Sequence, residues 1–517
     1  MSRLVFCVPG LNRKFSTWAP LIAKLSQEPE WKTDTVIEKY DHEATTFSRT
    51  SAKQFAQRLA AKIEGDWTTN NQPSEIVLIG HSMGALLVRQ AYLMSLPQRG
   101  FAGKEWAQHV SRIVLLSGIN RGVQLGKSQR AILPILLPGH FLVKDLLKGS
   151  DFVTNLRIWW IKKLARLSVR PVVVQVRGGQ DNLVNGDDSL DIEGFLEGHE
   201  MLIEDANHAN ILLPDRLSDF SDEKYRRLRQ AILRPFPNTP SDHRVENEDQ
   251  KIFFVVHGIR DKNDDWVAAI KKLIESEIPG SYVMQPYLGR FSALHFMIPA
   301  VRRVNVRKFQ DLYSSLLAAN PLAKFYFVGH SYGTYVFGHS LLNLTGIEFE
   351  RVLLAGSVLP ESISWLERRT QVKELRNCRA QLDVPVAVLC KALCAIGLGD
   401  GIGTAGYTGF SIPFDPDSER FYFPGGHGAT ISGDICRTDI VEFMKNGPYC
   451  QPRTTTVKSN PLFDRFHTLS PLLGYIVLIL WAALLWMAAR SGQNQILHVL
   501  EAILIPAVCG TLFLYFY

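Results

Sequence analysis

The chain has 517 residues, which is long for one domain and enough for two domains that each bury a core. Hydrophobic residues make up 46% of it and charged residues 21%, a composition that excludes disorder as the main state. Seven cysteines without a C-x-x-C pair exclude a disulfide-stapled secreted scaffold and a thiolate zinc cage. The net charge is +7, but the chain has no long block of like charge, so no nucleic-acid partner is expected.

The first half alternates short apolar runs with amphipathic stretches. Runs that are apolar throughout and separated by helices are typical of parallel strands covered on both faces. We therefore expect an α/β fold whose site lies beyond the carboxyl ends of the strands. In chain order the patterns predict a strand at 4–8, helices at 18–25 and 52–63, a strand at 76–79, a helix at 85–94, strands at 113–116, 172–176 and 201–203, and a helix from about 222.

The chain repeats itself. RLVFCVPGLNRKFSTWAPLIAKL, from Arg3, aligns with KIFFVVHGIRDKNDDWVAAIKKL, from Lys251, at an offset of 248. EIVLIGHSMGALLV, from Glu75, aligns with KFYFVGHSYGTYVF, from Lys324, at an offset of 249. Two separate segments that keep one offset to within a residue indicate two copies of one domain. The predicted domains are 1–235 and 251–447, and a polar linker at 236–250 joins them.

Each copy carries one G-x-S-x-G motif, GHSMG at 80–84 and GHSYG at 329–333. Both motifs follow an apolar strand and precede a helix, where glycines permit a sharp turn that exposes the serine hydroxyl. Such a serine needs a histidine as base and a carboxylate that orients the histidine. An aspartate and then a histidine follow later strands in both copies. The candidate catalytic residues are Ser82, Asp181 and His208 in the first copy, and Ser331, Asp383 and His427 in the second.

Some neighbouring residues compete for these roles. His81 and His330 adjoin the serines, and we interpret them as packing residues because the base must come from another strand. Four other carboxylates remain candidates for the orienting acid: Asp187, Asp188 and Asp205 in the first copy, and Asp400 in the second.

Serine, aspartate and histidine in this chain order resemble the α/β-hydrolase family in both halves. The first half is more similar to lipases, because LLSGINRG (from Leu115) and LLKGSDFVTNL (from Leu146) resemble lipase segments. The resemblance implies two tandem α/β-hydrolase domains that form an acyl-enzyme and need no metal or cofactor. Proline at position 9 is a departure, since many relatives have His-Gly there, as the second half does at 257–258.

The family resemblance also implies an oxyanion hole, built from the backbone amide after the nucleophile and one amide after the first strand. In this chain these amides would belong to Leu11 and Met83 in the first copy, and to Ile259 and Tyr332 in the second.

An insert at 121–170 distinguishes the first copy. It contains ten lysines and arginines against two aspartates, a net charge of +8, and the rest of the chain carries −1. It also contains the apolar run AILPILLPGHFLV and two tryptophans. We interpret it as a basic helical cap that covers an acyl-chain site and contacts an anionic membrane surface, the alternative being a cap without lipid contact.

The C-terminal region is apolar. Residues 471–489 carry no charge and are long enough to predict a transmembrane helix, while 496–517 predict a second, probable one. Residues 448–470 are predicted as a juxtamembrane linker, and their basic residues place the two domains in the cytosol by the positive-inside rule.

The sequence thus predicts a membrane-anchored serine hydrolase that acts on ester or thioester bonds of lipid-like substrates, with one or both copies active. Two other interpretations stay open. In one, a hydrolase fold has lost activity and serves as a membrane scaffold that binds lipid or protein. In the other, the same residues cleave amide or peptide bonds.

Overall fold

The chain folds into two compact units. They are Met1–Glu246 with Ser314–Leu322, and Asn247–Tyr313 with Ala323–Tyr517. Most of the linker predicted at 236–250 lies outside the described residues. The structure is a computed structural model that describes residues 2–31, 34–98, 100–123, 141–184, 198–212, 222–236, 250–259, 265–286, 293–415, 422–449 and 457–490.

The first unit is built on a six-stranded sheet in which all neighbouring strands are parallel, in the order β2-β1-β3-β4-β5-β6. Strand β1, second from the edge, is buried along its whole length, so its side chains alternate between two apolar layers. Leu4 and Phe6 belong to one layer, and Val5 and Cys7 belong to the other. The strands are β1 (Arg3–Val8), β2 (Thr35–Lys39), β3 (Glu75–His81), β4 (Val110–Leu116), β5 (Val172–Gly178) and β6 (His199–Ile203).

Helices cover both faces of this sheet. The second helix begins with a capping box, in which Ser51 Oγ accepts from the Gln54 amide and Gln54 Oε1 accepts from the Ser51 amide. The α-helices described in the first half are α1 (Ala19–Leu25), α2 (Ala52–Thr69), α3 (Met83–Ser95), α4 (Phe141–Asp145), α5 (Asp151–Arg166) and α6 (Glu223–Leu233).

The second unit repeats this topology. Its strands pair in the order β8-β7-β9-β10-β11-β12, which is the order of the first sheet, and all of the pairs are parallel. Phe254 of the first strand packs against Phe309, Phe325 and Phe349, so one face of this sheet is rich in aromatic rings. The strands are β7 (Lys251–Val256), β8 (Ser281–Met284), β9 (Lys324–His330), β10 (Phe349–Ala355), β11 (Val372–Ala380) and β12 (Tyr422–Phe423).

The helices of the second half include a π-helix at Pro385–Cys390, directly after the candidate acid Asp383. The α-helices described here are α7 (Asp265–Glu277), α8 (Ala293–Met297), α9 (Pro299–Ala319), α10 (Tyr332–Asn343), α11 (Lys391–Ala395), α12 (Ala405–Thr408), α13 (Asp434–Asn446) and α14 (Pro461–Arg490).

The predicted parallel α/β architecture is confirmed, and every strand predicted in the first half lies within an observed strand. The sequence pattern missed β2 (Thr35–Lys39). That strand lies at an edge of the sheet, and four of its five side chains are half-buried while Lys39 is exposed. It therefore lacks the continuous apolar run by which the inner strands are recognised.

The predicted cap contains α4 and α5, and its residues 124–140 are not among those that the structure describes. Its cations do not form one exposed face. Arg157 and Lys162 are only 3% and 5% exposed, whereas Lys144 and Arg166 are exposed. A long cationic side chain can bury its alkyl stem and pack as an apolar residue does, so the net charge of a segment overstates the charge at its surface.

Helix α14 begins at Pro461, so part of the linker predicted at 448–470 is helical. The helix continues through 471–489, where the sequence predicts a membrane span. Among the residues that the structure describes, no helix has the length and apolarity needed to cross a bilayer, so the structure gives no support for that span. The second predicted span, 496–517, lies outside the described residues.

Two glycines in helices of the first unit provide a matched test of the packing. A Cβ on Gly84, in α3, would lie 2.2 Å from the carbonyl oxygen of Val8, whereas a Cβ on Gly65, in α2, would meet nothing within 4 Å. We expect Gly84→Ala to lower the free energy of unfolding by about 2 kcal/mol or more because backbone atoms must move. We expect Gly65→Ala to leave it unchanged or raise it by up to about 1 kcal/mol. Urea unfolding measures both, and equal stability of the two variants would contradict the close approach.

Candidate active sites

Ser82 occupies a strained turn between β3 and α3. Its φ of 54° and ψ of −118° are unfavourable for a residue with a side chain, so the surrounding packing must hold them. The flanking glycines make the turn possible. A Cβ on Gly80 would lie 2.5 Å from the backbone of Gly84, and Gly84 is itself pressed against β1. The turn is the strand–turn–helix that the G-x-S-x-G motif predicts.

The structure brings Ser82, His208 and Asp181 together in one hydrogen-bonded chain. Nε2 of His208 is 2.8 Å from Oγ of Ser82, and Nδ1 of His208 is 3.0 Å from Oδ2 of Asp181. With the Nδ1–H donating to Asp181, Nε2 is free to accept the serine proton, which is the tautomer a general base requires. Asp181 follows β5 and His208 follows β6, so both residues reach the serine from the carboxyl ends of the strands.

The carboxylate of Asp181 is fixed before any substrate binds. Its side chain is fully buried, and its Oδ1 accepts hydrogen bonds from the amides of Leu183 (2.9 Å) and Val184 (3.1 Å). Burial raises the pKa of Asp181, but the hydrogen bond and charge of His208 and the Leu183 amide outweigh it, so the pKa lies below its usual value. Asp181 is therefore ionised at neutral pH and can stabilise an imidazolium at His208.

The loop after β1 passes close to the nucleophile. A Cβ on Gly10 would lie 3.0 Å from Cβ of Ser82, which brings the next residue, Leu11, beside the serine. Met83 begins α3, and amides in the first turn of a helix have no partner within it. The amides of Leu11 and Met83 remain the predicted oxyanion donors of this site, one in this loop and one at the start of α3.

His42 supports this loop, and sequence reasoning missed it. Its Nε2–H donates to the carbonyl of Pro9 (2.9 Å), and its Nδ1 accepts from the amide of Ala44 (3.0 Å). Burial lowers the pKa of His42, which keeps the ring in the neutral form that both bonds require. No motif surrounds His42 in the sequence, so only the folded chain reveals its role.

The second unit has the same turn and the same acid–histidine pair. Ser331 has φ 53° and ψ −120°, nearly the values of Ser82. Both carboxylate oxygens of Asp383 lie 2.9 Å from Nδ1 of His427, and the Asp383 side chain is fully buried. Gly258 approaches Ser331 as Gly10 approaches Ser82, with a built Cβ 2.9 Å from Cβ of the serine.

The two sites differ at the nucleophile. No hydrogen bond joins Oγ of Ser331 to His427, two residues that the structure describes, and Ser331 is only 7% exposed. Ile259 follows Gly258 and Tyr332 begins α10, so the oxyanion positions of this site match those of the first. The second site therefore has the components of the first, with the serine less exposed and not yet joined to its base.

The two competing carboxylates that the structure describes do not pair with the candidate histidines, which bond to Asp181 and Asp383. Asp205 is exposed, and Asp400 is exposed and forms an ion pair with Arg303 at 2.5 Å. The remaining candidates, Asp187 and Asp188, lie outside the described residues.

The histidines next to the serines have a role that packing alone does not describe. His81 Nε2 lies 2.9 Å from the backbone oxygen of His208, and His330 Nε2 lies 3.2 Å from the backbone oxygen of His427. In both units, the residue before the nucleophile thus holds the main chain of the candidate base. Two copies with the same bond indicate that it positions the base.

An open groove lies beside His208. Three of its six described lining residues are carboxamides, and among those six His208 is the only titratable side chain. Hydrogen-bond donors and acceptors without net charge suit a neutral polar group of a substrate. The described lining residues are Gln180, Asn182, Leu183, Asn207, His208 and Ala209.

Neither a family model nor a curated protein matches the chain. Solved structures with similarity include a lipase-esterase related protein of Clostridium acetobutylicum, at 16% identity over 41% of this chain and 89% of that protein, with a TM-score of 0.28. A peroxisomal α/β-hydrolase of Saccharomyces cerevisiae has 12% identity over 46% of this chain and 79% of its own, with a TM-score of 0.31. An esterase of Pyrococcus furiosus has 15% identity over 44% of this chain and 82% of its own, with a TM-score of 0.28.

The architecture of both units fits the α/β-hydrolase fold, and the reasons lie in the chain itself. They are the strand order of each sheet, the strained serine between the third strand and the following helix, and the acid and histidine that follow the fifth and sixth strands.

His81 generates a prediction about pH. Burial lowers its pKa from 6.5 to about 4, so the unfolded chain takes up a proton at a higher pH than the folded chain does. Stability linked to His81 is therefore present above pH ~6.5 and is lost as the pH falls toward ~4. His81→Gln keeps a donor at the Nε2 position. When the pH is lowered from ~7 to ~5, its free energy of unfolding should fall by about 2 kcal/mol less than that of wild type. Urea unfolding at the two pH values measures this difference, and identical losses would contradict it.

Proposed function

We propose that the chain is a serine hydrolase with two active sites, which cleaves ester or thioester bonds of lipid-like substrates through an acyl-enzyme. The observation that carries the proposal is the hydrogen-bonded chain from Asp181 through His208 to Ser82, on a strained turn. A buried carboxylate, a histidine in the basic tautomer and a partly exposed hydroxyl together make a nucleophile of an otherwise unreactive alcohol.

The reaction follows from this geometry. His208 Nε2 removes the proton as Ser82 Oγ attacks the acyl carbon, and Asp181 stabilises the resulting imidazolium. The amides of Leu11 and Met83 donate to the oxyanion of the tetrahedral intermediate. Collapse breaks the bond to the leaving alcohol or thiol, which takes the proton from His208. Water then attacks the acyl-serine with His208 again as base, and the acid and free Ser82 result.

The second site follows the same scheme with Ser331, His427 and Asp383. We expect it to react more slowly, because Ser331 is buried and a substrate must first bring its hydroxyl to His427. Candidate bases in ligand-free sites are often loosely bonded to their nucleophile, so the missing bond is compatible with catalysis. It equally favours a second candidate function for this unit alone, a binding module that keeps the fold without the reaction.

A fluorophosphonate probe, which phosphonylates activated serines, tests the proposal. We expect wild type to be labelled at Ser82 quickly and at Ser331 at least about tenfold more slowly, since the second hydroxyl lacks its base in the free site. Peptide mass spectrometry over time gives both rates. Ser82→Ala should abolish the fast phase and Ser331→Ala the slow one. A folded wild-type chain without any label would exclude the hydrolase, and label at Ser82 alone would favour the binding module.

The lipid character of the substrate rests on other features. The cap at 121–170 combines apolar segments with exposed cations such as Lys144 and Arg166, which suits an acyl chain presented at an anionic surface. Arg157 and Lys162 are buried, so they do not belong to such a surface. The carboxamide-lined groove beside His208 suits a neutral polar leaving group.

We also propose that segments 471–489 and 496–517 attach the chain to a membrane, with both units on its cytosolic side. This proposal rests on the sequence, in which 471–489 has no charge and more cations precede it than follow it. Exposed apolar side chains on α14, among them Leu462 and Phe466, support an apolar surrounding for this helix.

Alkaline carbonate extraction tests the attachment. We expect the wild-type chain to stay in the membrane pellet. Leu480→Arg with Leu484→Arg should move a large part of it to the supernatant, because each central charge costs about 3 kcal/mol in a bilayer. Protease added from the cytosolic side should cleave within 236–250. Full extraction of the wild-type chain by carbonate would contradict the proposal.

A further inference from the structure

Helix α14 packs on the segment that follows the candidate acid of the second site. His467 and Ser470 lie on the packed side and are 8% and 3% exposed, while Phe466 and Leu469 on the other side are more than half exposed. The approach is close, since a Cβ on Gly474 would lie 2.7 Å from the carbonyl oxygen of Ala392. The docked side of α14 is therefore specific and not a loose hydrophobic contact.

His467 makes two hydrogen bonds across this contact. Its Nδ1–H donates to the carbonyl of Ala387 at 2.7 Å, and its Nε2 accepts from the ammonium of Lys391 at 3.1 Å. The bond from Lys391 needs a neutral ring, because a protonated Nε2 would face the Lys391 charge without an electron pair to offer. Burial, reinforced by Lys391, lowers the pKa of His467 and so favours the neutral form.

A short path of hydrogen bonds leads from His467 to the catalytic pair. The amide of Ala387 donates to the main-chain oxygen of Asp383 (2.8 Å), and the amide of Val386 donates to Oδ1 of Asp383 (3.0 Å). The same carboxylate contacts Nδ1 of His427. Ala387 and Val386 belong to the π-helix Pro385–Cys390, a geometry poorer in favourable packing than an α-helix and common at functional sites. Such a segment needs outside support, which His467 gives it.

A second contact holds α14 at the same place. The Tyr407 hydroxyl on α12 donates to Asp464, one turn before His467, and the rings of Tyr407 and His467 are 5.2 Å apart. The helix is thus fixed to two segments of the region between Asp383 and His427.

We propose that His467 is a positioning residue of the second active site, which holds Asp383 in place through Ala387 and makes the reactivity of Ser331 depend on the docking of α14. The proposal rests on the proposed function, because it assigns Asp383 and His427 their roles in a triad. In both units the amide three residues after the acid donates to its carboxylate, and in the second unit the segment that carries this amide is also bonded to His467.

The test compares the two serines in one full-length chain. His467→Leu removes both hydrogen bonds, and His467→Gln keeps a donor and an acceptor. We expect His467→Leu to slow fluorophosphonate labelling of Ser331 at least about tenfold while Ser82 labels as in wild type, because only the second carboxylate loses its support. His467→Gln should recover the rate to within about threefold, a rescue that simple loss of packing would not give. Phe466→Leu, on the exposed side of α14, is the matched control and should not change either rate.

Amide hydrogen exchange of residues 384–395 provides a readout that does not need catalysis. We expect faster exchange there in His467→Leu than in wild type and Phe466→Leu, with strand β9 unchanged as a sign that the unit is folded. If β9 also exchanges faster in His467→Leu, Tyr407→Phe is the second variant. It removes only the hydrogen bond from Tyr407 to Asp464, and exchange at residues 384–395 should become faster to a smaller extent. Labelling of Ser331 within about twofold of wild type in His467→Leu, or unchanged exchange at 384–395, would overturn the proposal. A wild-type chain that never labels at Ser331 would instead contradict the proposed function of this unit.

Discussion

Both units depend on one close approach of backbone to backbone, between the helix that follows the nucleophile and the first strand of the sheet. Built Cβ atoms would lie 2.2 Å from the carbonyl oxygen of Val8 at Gly84, and 2.5 Å from that of Val256 at Gly333. This approach lets each serine turn sharply out of its strand at a positive φ. It also brings the loop after the first strand beside the serine, so that one contact shapes both the turn of the candidate nucleophile and the loop that carries a predicted oxyanion donor.

The two copies share this centre and differ in what surrounds it. The first unit extends between β4 and β5, where α4 and α5 stand, and the second extends between β11 and β12, next to its acid. In the first unit, Asp181 is held by the amides of Leu183 and Val184, within its own turn. In the second, Asp383 lies two residues before a π-helix, whose Ala387 accepts a hydrogen bond from His467 on α14. The same acid–histidine geometry is thus held by a local amide bond in both units, and the second unit adds the long-range contact of α14.

The sequence predicted the features that repeat in both halves and the strands that are apolar throughout. Two motifs at one offset predicted the duplicated sheets, and the chain order of acid and histidine led to the two acid–histidine pairs, of which the first also reaches its serine. It missed the edge strand β2, whose side chains are half-buried, because periodicity reports burial and not pairing. It could not find His42 or His467, since each acts through a main-chain carbonyl that only folding brings near. The charge of the cap was overestimated as a surface property because counting charges does not tell which side chains are buried.

The contact of His467 with Ala387 has a consequence for synthesis of the chain, because its partners are 80 residues apart. A ribosome adds residues in order, and domains tend to fold as they emerge. The sheet of the first unit ends at β6 (His199–Ile203), so its acid, base and nucleophile can meet while the second unit is still being made. The contact proposed to support Asp383 cannot form until α14, one of the last elements described, has been made. During translation, the residues of the first candidate site can therefore meet before α14 is made, whereas the support proposed for the second acid forms only after it.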